Sequence, residues 1–596
     1  MPSRRRHRYP APLRRGWEAQ QAGDFARAEA LFREVLAVRP RTFEALHLLG
    51  TLLARSGRAL DGVDLIKKSL DIQPYNVAAL EDLGAALLDL HFVAEAEDVY
   101  RRALALRPTA IAHFNLATTL QRRGFTGEAI PLLRKALALD PTLLQAAFSL
   151  AVGLSETGQE EEALPLFRNA VAARPQDPFI HSNLLFALLY SARSTEPEIF
   201  QEHLRWADRH AQPLARLMRP HANDRTPDRP LRVGYVSADF WEHAVSFFFE
   251  GLLRSHDPAQ VEVFCYADVV LPDATTQRLR SQAKNWRNIS QLSDDQAATA
   301  IREDRIDILV DLAGHSTGNR LQLFARRPAP VQVTYIGYPA TTGMLAFDAR
   351  LTDALADPPG QDDEFYTERL IRLPRTFLCY TPPAAAPDVN LLPAAAADAP
   401  ITFCSFNNLA KIRRPCIELW AGVLAAVPGS RMLIKGSRLK DEAPRRPLLA
   451  WFADAGIPAE RIEFVEGTAS FVEHLAVYHR ADIALDTFPY HGTTTTCEAL
   501  WMGLPVVTLA GHAHRSRVGV SLLSSVGLPD LVARSPDDFV RIAAALANDR
   551  PRLASLRAGF RDRLRASPLL DCPALARAVE GAYRSLWRAW CPSTPH

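Results

Sequence analysis

An excess of either charge is missing from this chain of 596 residues: 69 Lys and Arg against 67 Asp and Glu leave a formal net charge of +2. That balance gives no global case for a nucleic-acid or membrane partner. Long apolar runs are missing as well. None approaches the roughly 18 residues that cross a bilayer, and the basic opening, MPSRRRHRYPAPLRR, lacks the apolar centre of a signal peptide. Residues 1–12 therefore read as a basic tail. Cysteine is sparse: Cys265, Cys379, Cys404, Cys416, Cys497, Cys572 and Cys591 are scattered, odd in number and never spaced CxxC. This argues against a disulfide framework and a zinc site, and it sets the expectation of a reducing, cytoplasmic compartment. What remains, 48% hydrophobic and 23% charged residues, is the composition of ordinary folded domains.

The first part of the chain repeats itself with a period of about 34 residues. Small residues recur at Gly16, Gly50, Gly84, Ala117 and Ala151, and a second set runs Gly23, Gly57, Gly124 and Gly158, with His91 in the missing place. A third set runs Ala28, Gly62, Ala96, Ala129 and Ala163, and prolines close the units at Pro40, Pro74, Pro108, Pro141 and Pro175. Each unit reads as two amphipathic helices that approach closely at the small residues and stop at the proline. The pattern resembles the tetratricopeptide repeat, and with a further helix pair it occupies residues 13–215. Such arrays bind extended peptides or other proteins. A spacer or an arm for a homodimer is the other use that the sequence leaves open.

A polar, proline-punctuated segment, RLMRPHANDRTPDRP, precedes a different regime. LRVGYVSADF, VEVFCYA, IDILVDLAG and VQVTYIGYP are β-rich runs separated by helical stretches, and ITFCSFNN, SRMLIKGS, RIEFVEG, ADIALDTF and LPVVTLAG continue the alternation. Alternating strands and helices predict doubly wound parallel sheets. The α/β region divides into a lobe over 231–380, a flexible linker rich in Ala and Pro over 381–400, and a second lobe over 401–596 with a closing helix. The cleft between two such lobes is the default site.

The densest chemistry lies in LDTFPYHGTTTTCEALWMGLPVVTL. A helix starting among Thr493, Thr494, Thr495 and Thr496 offers free N–H groups and hydroxyls where its dipole is positive, a seat for a pyrophosphate. Glu498, one turn on, can accept ribose hydroxyls. Asn408 and Lys411 follow the first strand of the same lobe, and a lysine there can neutralise phosphate charge as a leaving group departs. His474 lies upstream on FVEHLAVYHRADIALD, and His243 ends SADFWEH in the first lobe. There is no DxD pair of the kind that holds a divalent metal under a nucleotide-sugar, so no metal and no other cofactor is expected.

Repeats followed by SADFWEHAVS, DLAGHSTGNRLQLFARRPAPVQVTYIGYPATTG, FNNLAKI and DTFPYHGTTTTCEALWMGLPVVTL resemble the O-linked N-acetylglucosamine transferase family, which includes SPINDLY-type enzymes. The resemblance implies a tetratricopeptide superhelix joined to an α/β GT-B glycosyltransferase. It implies transfer of N-acetylglucosamine from UDP-GlcNAc to Ser or Thr hydroxyls of acceptor proteins, with inversion. It assigns Asn408 and Lys411 to the uridine diphosphate, Thr494 and Thr495 beside Thr493 to the pyrophosphate, Glu498 to the ribose and His474 to the uridine side. His243 matches a histidine proposed as general base, and its role stays open. Departures exist: animal members carry histidine at Thr493, aspartate at Glu498, glutamine at Asn408 and lysine at Phe471, and have a large insertion where this chain has its linker. Two rivals remain, a fucosyltransferase using GDP-fucose and a repeat scaffold with vestigial transferase lobes.

Overall fold

The computed structural model describes residues 11–395 and 399–591. Residues 1–10 of the basic tail, residues 396–398 of the linker and the last five residues lie outside the described residues. The chain divides into two units, one ending at Thr157 and one running from Gly158 onward apart from Asp441–Ala443.

The first unit is helical, from Ala11–Gln21 through Leu144–Glu156. The period written in the sequence has a steric cause. A Cβ at Gly16 would meet the Phe32 ring, one at Gly50 would meet Ile66, and one at Gly84 would meet Tyr100 at 2.5 Å. Each small residue is thus the place where the next helix lays down a large one. The second ladder has a different cause, backbone conformation: Gly23, Gly57 and Gly124 turn between helices at φ of 80°, 80° and 81°. His91 takes the same left-handed turn at φ 62° with a full side chain, at a cost of about 1 kcal/mol. His91→Gly is therefore expected to raise stability by about 0.5 kcal/mol, the relief of strain offset in part by glycine's greater unfolded freedom. Thermal denaturation of the two proteins checks this.

The second unit opens with helices Glu160–Ala173, Pro178–Tyr190 and Glu196–His210. The sequence groups them with the repeats, yet the last two are built into the first lobe by polar and aromatic side chains. His203 Nε2 lies 2.8 Å from Tyr338 Oη and Ser182 Oγ lies 3.3 Å from His315 Nδ1. Trp206 meets the His315 ring edge-on at 4.7 Å. Burial holds His203 and His210 down to about 4, so these rings pack without charge.

Two parallel sheets follow. The first holds β1 (Leu231–Ser237), β2 (Val261–Ala267), β3 (Asn285–Asn288), β4 (Ile308–Asp311), β5 (Val331–Thr334), β6 (Ala349–Asp353) and β7 (Arg369–Leu373), in the order β3-β2-β1-β4-β5-β6-β7. The second holds β8 (Thr402–Ser405), β9 (Arg431–Lys435), β10 (Ile462–Val465), β11 (Ile483–Leu485), β12 (Val506–Leu509) and β13 (Val532–Ala533), in the order β10-β9-β8-β11-β12-β13. In both, the order reverses beside the first strand, where ligands of doubly wound sheets bind. The apolar runs of the sequence become the central strands, because a parallel strand covered on both faces must be apolar throughout. This is the two-lobed architecture expected, joined to helical repeats.

Three features depart from expectation. The closing helix Cys572–Trp590 packs on the first lobe, where Tyr583 Oη lies 3.2 Å from Tyr235 Oη and Glu580 Oε1 lies 2.8 Å from His256 Nδ1. Nor do all thiols stay free: Cys379 and Cys572 are bonded, with Cα atoms 5.5 Å apart. Scatter along the chain hid a pair 193 residues apart. The linker, read as flexible, is anchored on the second lobe: Leu392 and Ala394 are buried, and Ala394 N donates to Asp482 Oδ1 at 2.9 Å.

Candidate active site

Lys411 ends the turn Leu409–Lys411 just beyond β8, and the Asn408 side chain caps that turn by accepting from Ala410 N. The lysine reaches across to the threonine loop. Its Nζ donates to His491 O at 2.7 Å and stands 4.2 Å from the centroid of the Tyr490 ring. Loss of water around the ammonium pushes it down to about 8, with Asp486 working the other way. The loop is held by Asp486, whose Oδ1 accepts from Gly492 N at 2.7 Å and Thr487 N at 2.8 Å, and whose Oδ2 accepts from Thr508 Oγ1 at 2.8 Å. Glycine is required at 492 for space, since a Cβ would lie 2.5 Å from Thr495 Oγ1 and 2.8 Å from Asn407 Oδ1.

The threonine helix runs Thr494–Trp501, with Thr493 at its N-cap and making no side-chain capping bond. The four hydroxyls divide. Thr495 Oγ1 donates to Asn407 Oδ1 at 2.9 Å and Thr496 Oγ1 to Gly492 O at 3.1 Å, so both are committed to holding the loop. The first N–H groups of the helix have no partner inside it. They face a cavity of about 350 Å³ whose wall includes Asn408, Lys411, Thr493, Thr494, Thr495 and, from the first lobe, His243.

His243 is the N-cap of helix Ala244–Ser255. Its Nδ1 lies 3.4 Å from Val245 N and 3.5 Å from Asp239 Oδ1. Asp239 is buried, and burial raises its carboxyl while the imidazole draws it back down. Because Nδ1 accepts from Val245 N, Asp239 acts on the imidazole through charge rather than through a hydrogen bond.

Asn407 and Asn408 also line a second groove of about 500 Å³, with Phe406, Lys435, Phe471 and His474 among its walls. His474 Nε2 lies 3.0 Å from Glu498 Oε2, which also accepts from Tyr478 Oη at 3.2 Å. Glu498 is buried behind His474 and lines neither space. The expected residues thus fall into two connected groups, with His243, Lys411, Thr493, Thr494 and Thr495 in one, His474 in the other, and Asn408 in both.

Four residues of the site were not singled out beforehand. Asn407 stands beside Asn408 in FNNLAKI, and Tyr490 lies inside the threonine stretch, so adjacency was the available signal. Arg515 lines the cavity and is held by Glu196 through two bonds of 2.8 and 2.5 Å, a pairing across more than 300 residues with no local signature. Lys435 reads in sequence as the end of an apolar strand. Among the described residues no cluster of three or more His, Cys, Asp or Glu could hold a metal ion, and no helix is long and apolar enough to cross a membrane.

The profile of glycosyl transferase family 41 matches residues 181–381 and 392–579, and that of the tetratricopeptide repeat matches 13–77, 81–143 and 114–178. The chain is 42% identical over 413 residues to the probable UDP-N-acetylglucosamine–peptide N-acetylglucosaminyltransferase SPINDLY of Solanum lycopersicum, covering 69% of this chain and 44% of that protein. The UDP-N-acetylglucosamine–peptide N-acetylglucosaminyltransferase of Caenorhabditis elegans is 26% identical, over 70% of this chain and 46% of its own length. This chain therefore spans a little under half of the curated relatives it matches. A solved structure, a mutant of the Thermobaculum terrenum O-GlcNAc transferase, aligns with a TM-score of 0.76 at 36% identity, over 92% of this chain and 98% of its own.

Proposed function

The chain belongs to glycosyl transferase family 41, and from that premise we propose that it moves N-acetylglucosamine from UDP-GlcNAc to Ser or Thr hydroxyls of proteins recruited by its repeats, with inversion and without a metal ion. The observation that carries the reading is the meeting of Lys411, the free start of the threonine helix and His243 around one cavity. Diphosphate oxygens seated at Thr493–Thr495 would draw the Lys411 ammonium from the His491 carbonyl. The acceptor oxygen attacks the anomeric carbon from the face opposite the diphosphate. As that C–O bond forms, the bond from the anomeric carbon to the diphosphate oxygen breaks and its electron pair leaves with UDP. Lys411 and the helix dipole stabilise that developing charge. The acceptor proton passes to a base, and His243, beside the Asp239 carboxylate, is the imidazole available on the opposite lobe.

The activities named for the relatives support the donor and the acceptor class. A second reading, transfer of fucose from GDP-fucose, draws on a groove of about 500 Å³ that has room for a purine. Calorimetric titration with UDP and with GDP, both in EDTA, separates the two. Tight UDP binding that survives chelation is the expected result. Preference for GDP would replace the donor, binding lost on chelation would overturn the metal-free mechanism, and no binding of either would leave only a scaffold.

A further inference from the structure

The groove beside Asn408 contains a cation for which the transfer step has no use. Lys435 is the last residue of β9 and is only 6% exposed, yet it forms part of the groove wall. Its Nζ lies 2.7 Å from His474 Nδ1. An ammonium has no lone pair, so Nδ1 is the acceptor and the ring proton sits on Nε2, which donates to Glu498 Oε2 at 3.0 Å. Both imidazole nitrogens are then occupied. The ring has only its faces left to offer, and the Phe471 ring lies nearly parallel to it, 5.5 Å away at 28°. Phe471 stacks in turn on Phe247 of the first lobe at 5.2 Å and 23°. The aromatic groups therefore supply flat apolar surface, and the directional group of this wall is the ammonium, with two N–H donors beyond the one given to His474.

The groove shares Asn407 and Asn408 with the cavity that holds Lys411. A nucleoside diphosphate with its phosphates at Lys411 and the threonine helix can extend into it, so that its base lies against His474 and Phe471. We infer that Lys435 is a specificity-determining residue that selects a donor whose base carries a ring carbonyl, uracil or guanine, against one that carries an amino group there, cytosine or adenine. An ammonium can only donate. Uracil O4 and guanine O6 accept from it, whereas the amino groups of cytosine and adenine would set donor against donor and leave a desolvated ammonium unpaired, which is the costly arrangement. The inference rests on the nucleotide-sugar reading but not on which of the two sugars is transferred.

Titration of the full chain with UDP, CDP, GDP and ADP tests it, because each pair at a given ring size differs in this edge. The expected result is that the tighter of UDP and GDP binds at least about tenfold more strongly than its amino partner. Lys435→Met should reduce that ratio to within about threefold by weakening the carbonyl base alone, and Lys435→Arg, which keeps the donors, should restore it. Equal binding of UDP with CDP and of GDP with ADP by the unaltered protein overturns the inference while the transferase reading stands. So does an equal loss of both members of a pair in Lys435→Met, which would mark a purely structural or general electrostatic role. Failure of all four to bind the unaltered protein overturns the inference together with the reading beneath it.

Discussion

Replacing Lys411 with Ala should lower kcat by about a thousandfold while leaving the fold intact. The size follows from the position of the ammonium, half-buried between the threonine loop and Tyr490, where a charge is worth far more than in water. A group whose hold on the diphosphate tightens as charge develops there acts on kcat more than on donor affinity. Lys411 is bound to a backbone carbonyl and an aromatic face and has no ion pair within 4 Å among the described residues, and Asp486, the charge that favours its ammonium, keeps its own hydrogen bonds to Gly492 N, Thr487 N and Thr508 Oγ1 when the lysine is removed. Steady-state kinetics beside thermal melts of the variant decide the matter. A fall of tenfold or less in kcat would move the stabilisation of the leaving group elsewhere.

The same lysine predicts a pH profile. Its ammonium is lowered to about 8, by burial first and with Asp486 opposing. The cationic form is the active one, so kcat/KM, which reports the free enzyme, should fall as pH rises through that value. A bound diphosphate raises the lysine again, which places the limb of kcat at higher pH than that of kcat/KM. Coincident limbs would mean that the titrating group does not meet the donor.

Legibility in the sequence followed the range of the interaction. The threonine stretch, Lys411 with Asn408, and His243 were readable because each stands at a strand end or a helix start, where local pattern and chemistry coincide. The four threonines nonetheless looked alike in sequence, and only the loop geometry separates Thr495 and Thr496, tied to Asn407 and Gly492, from Thr493 and Thr494. The central strands were readable as apolar runs. β3 (NWRN) and the two residues of β13 were not, because short edge strands are fixed by neighbours and carry no run of their own, and β6 (ARLTD) lies inside its sheet but is broken up by polar residues. The assignment of helices Pro178–Tyr190 and Glu196–His210 to the first lobe depends on His203, Trp206 and His315 meeting across about a hundred residues, and no period reports that.

Long-range pairing also sets the second large effect. The second-lobe loop that supplies His514 and Arg515 to the cavity is fastened to the first lobe at residues 353–361. His514 Nδ1 lies 2.7 Å from Asp357 Oδ2, Arg517 Nε donates to Leu355 O at 3.0 Å and Gln361 Nε2 donates to His512 O at 2.8 Å. Asp357 is buried, and besides His514 it faces the Arg350 guanidinium, the Tyr366 hydroxyl and the Thr352 hydroxyl. Burial alone would raise its carboxyl, but His514 and these neighbours outweigh burial and hold it well below the usual carboxylate range. A depressed carboxyl contributes stability that is complete above its unfolded value of about 3.9 and is lost as pH falls toward the folded value. Removing one member of a buried, hydrogen-bonded pair costs about 3–5 kcal/mol, so Asp357→Ala should destabilise the protein by that amount at neutral pH. It should also loosen the His514–Arg515 wall and raise KM for the donor. Asp357→Asn, which keeps the shape and some of the bonds, should lose less stability and show a shallower decline on acidification below pH 4. Denaturant titrations across that range are the check. An acid limb as steep in the asparagine variant as in the unaltered protein would remove Asp357 as its source and assign the sensitivity to the other buried carboxylates.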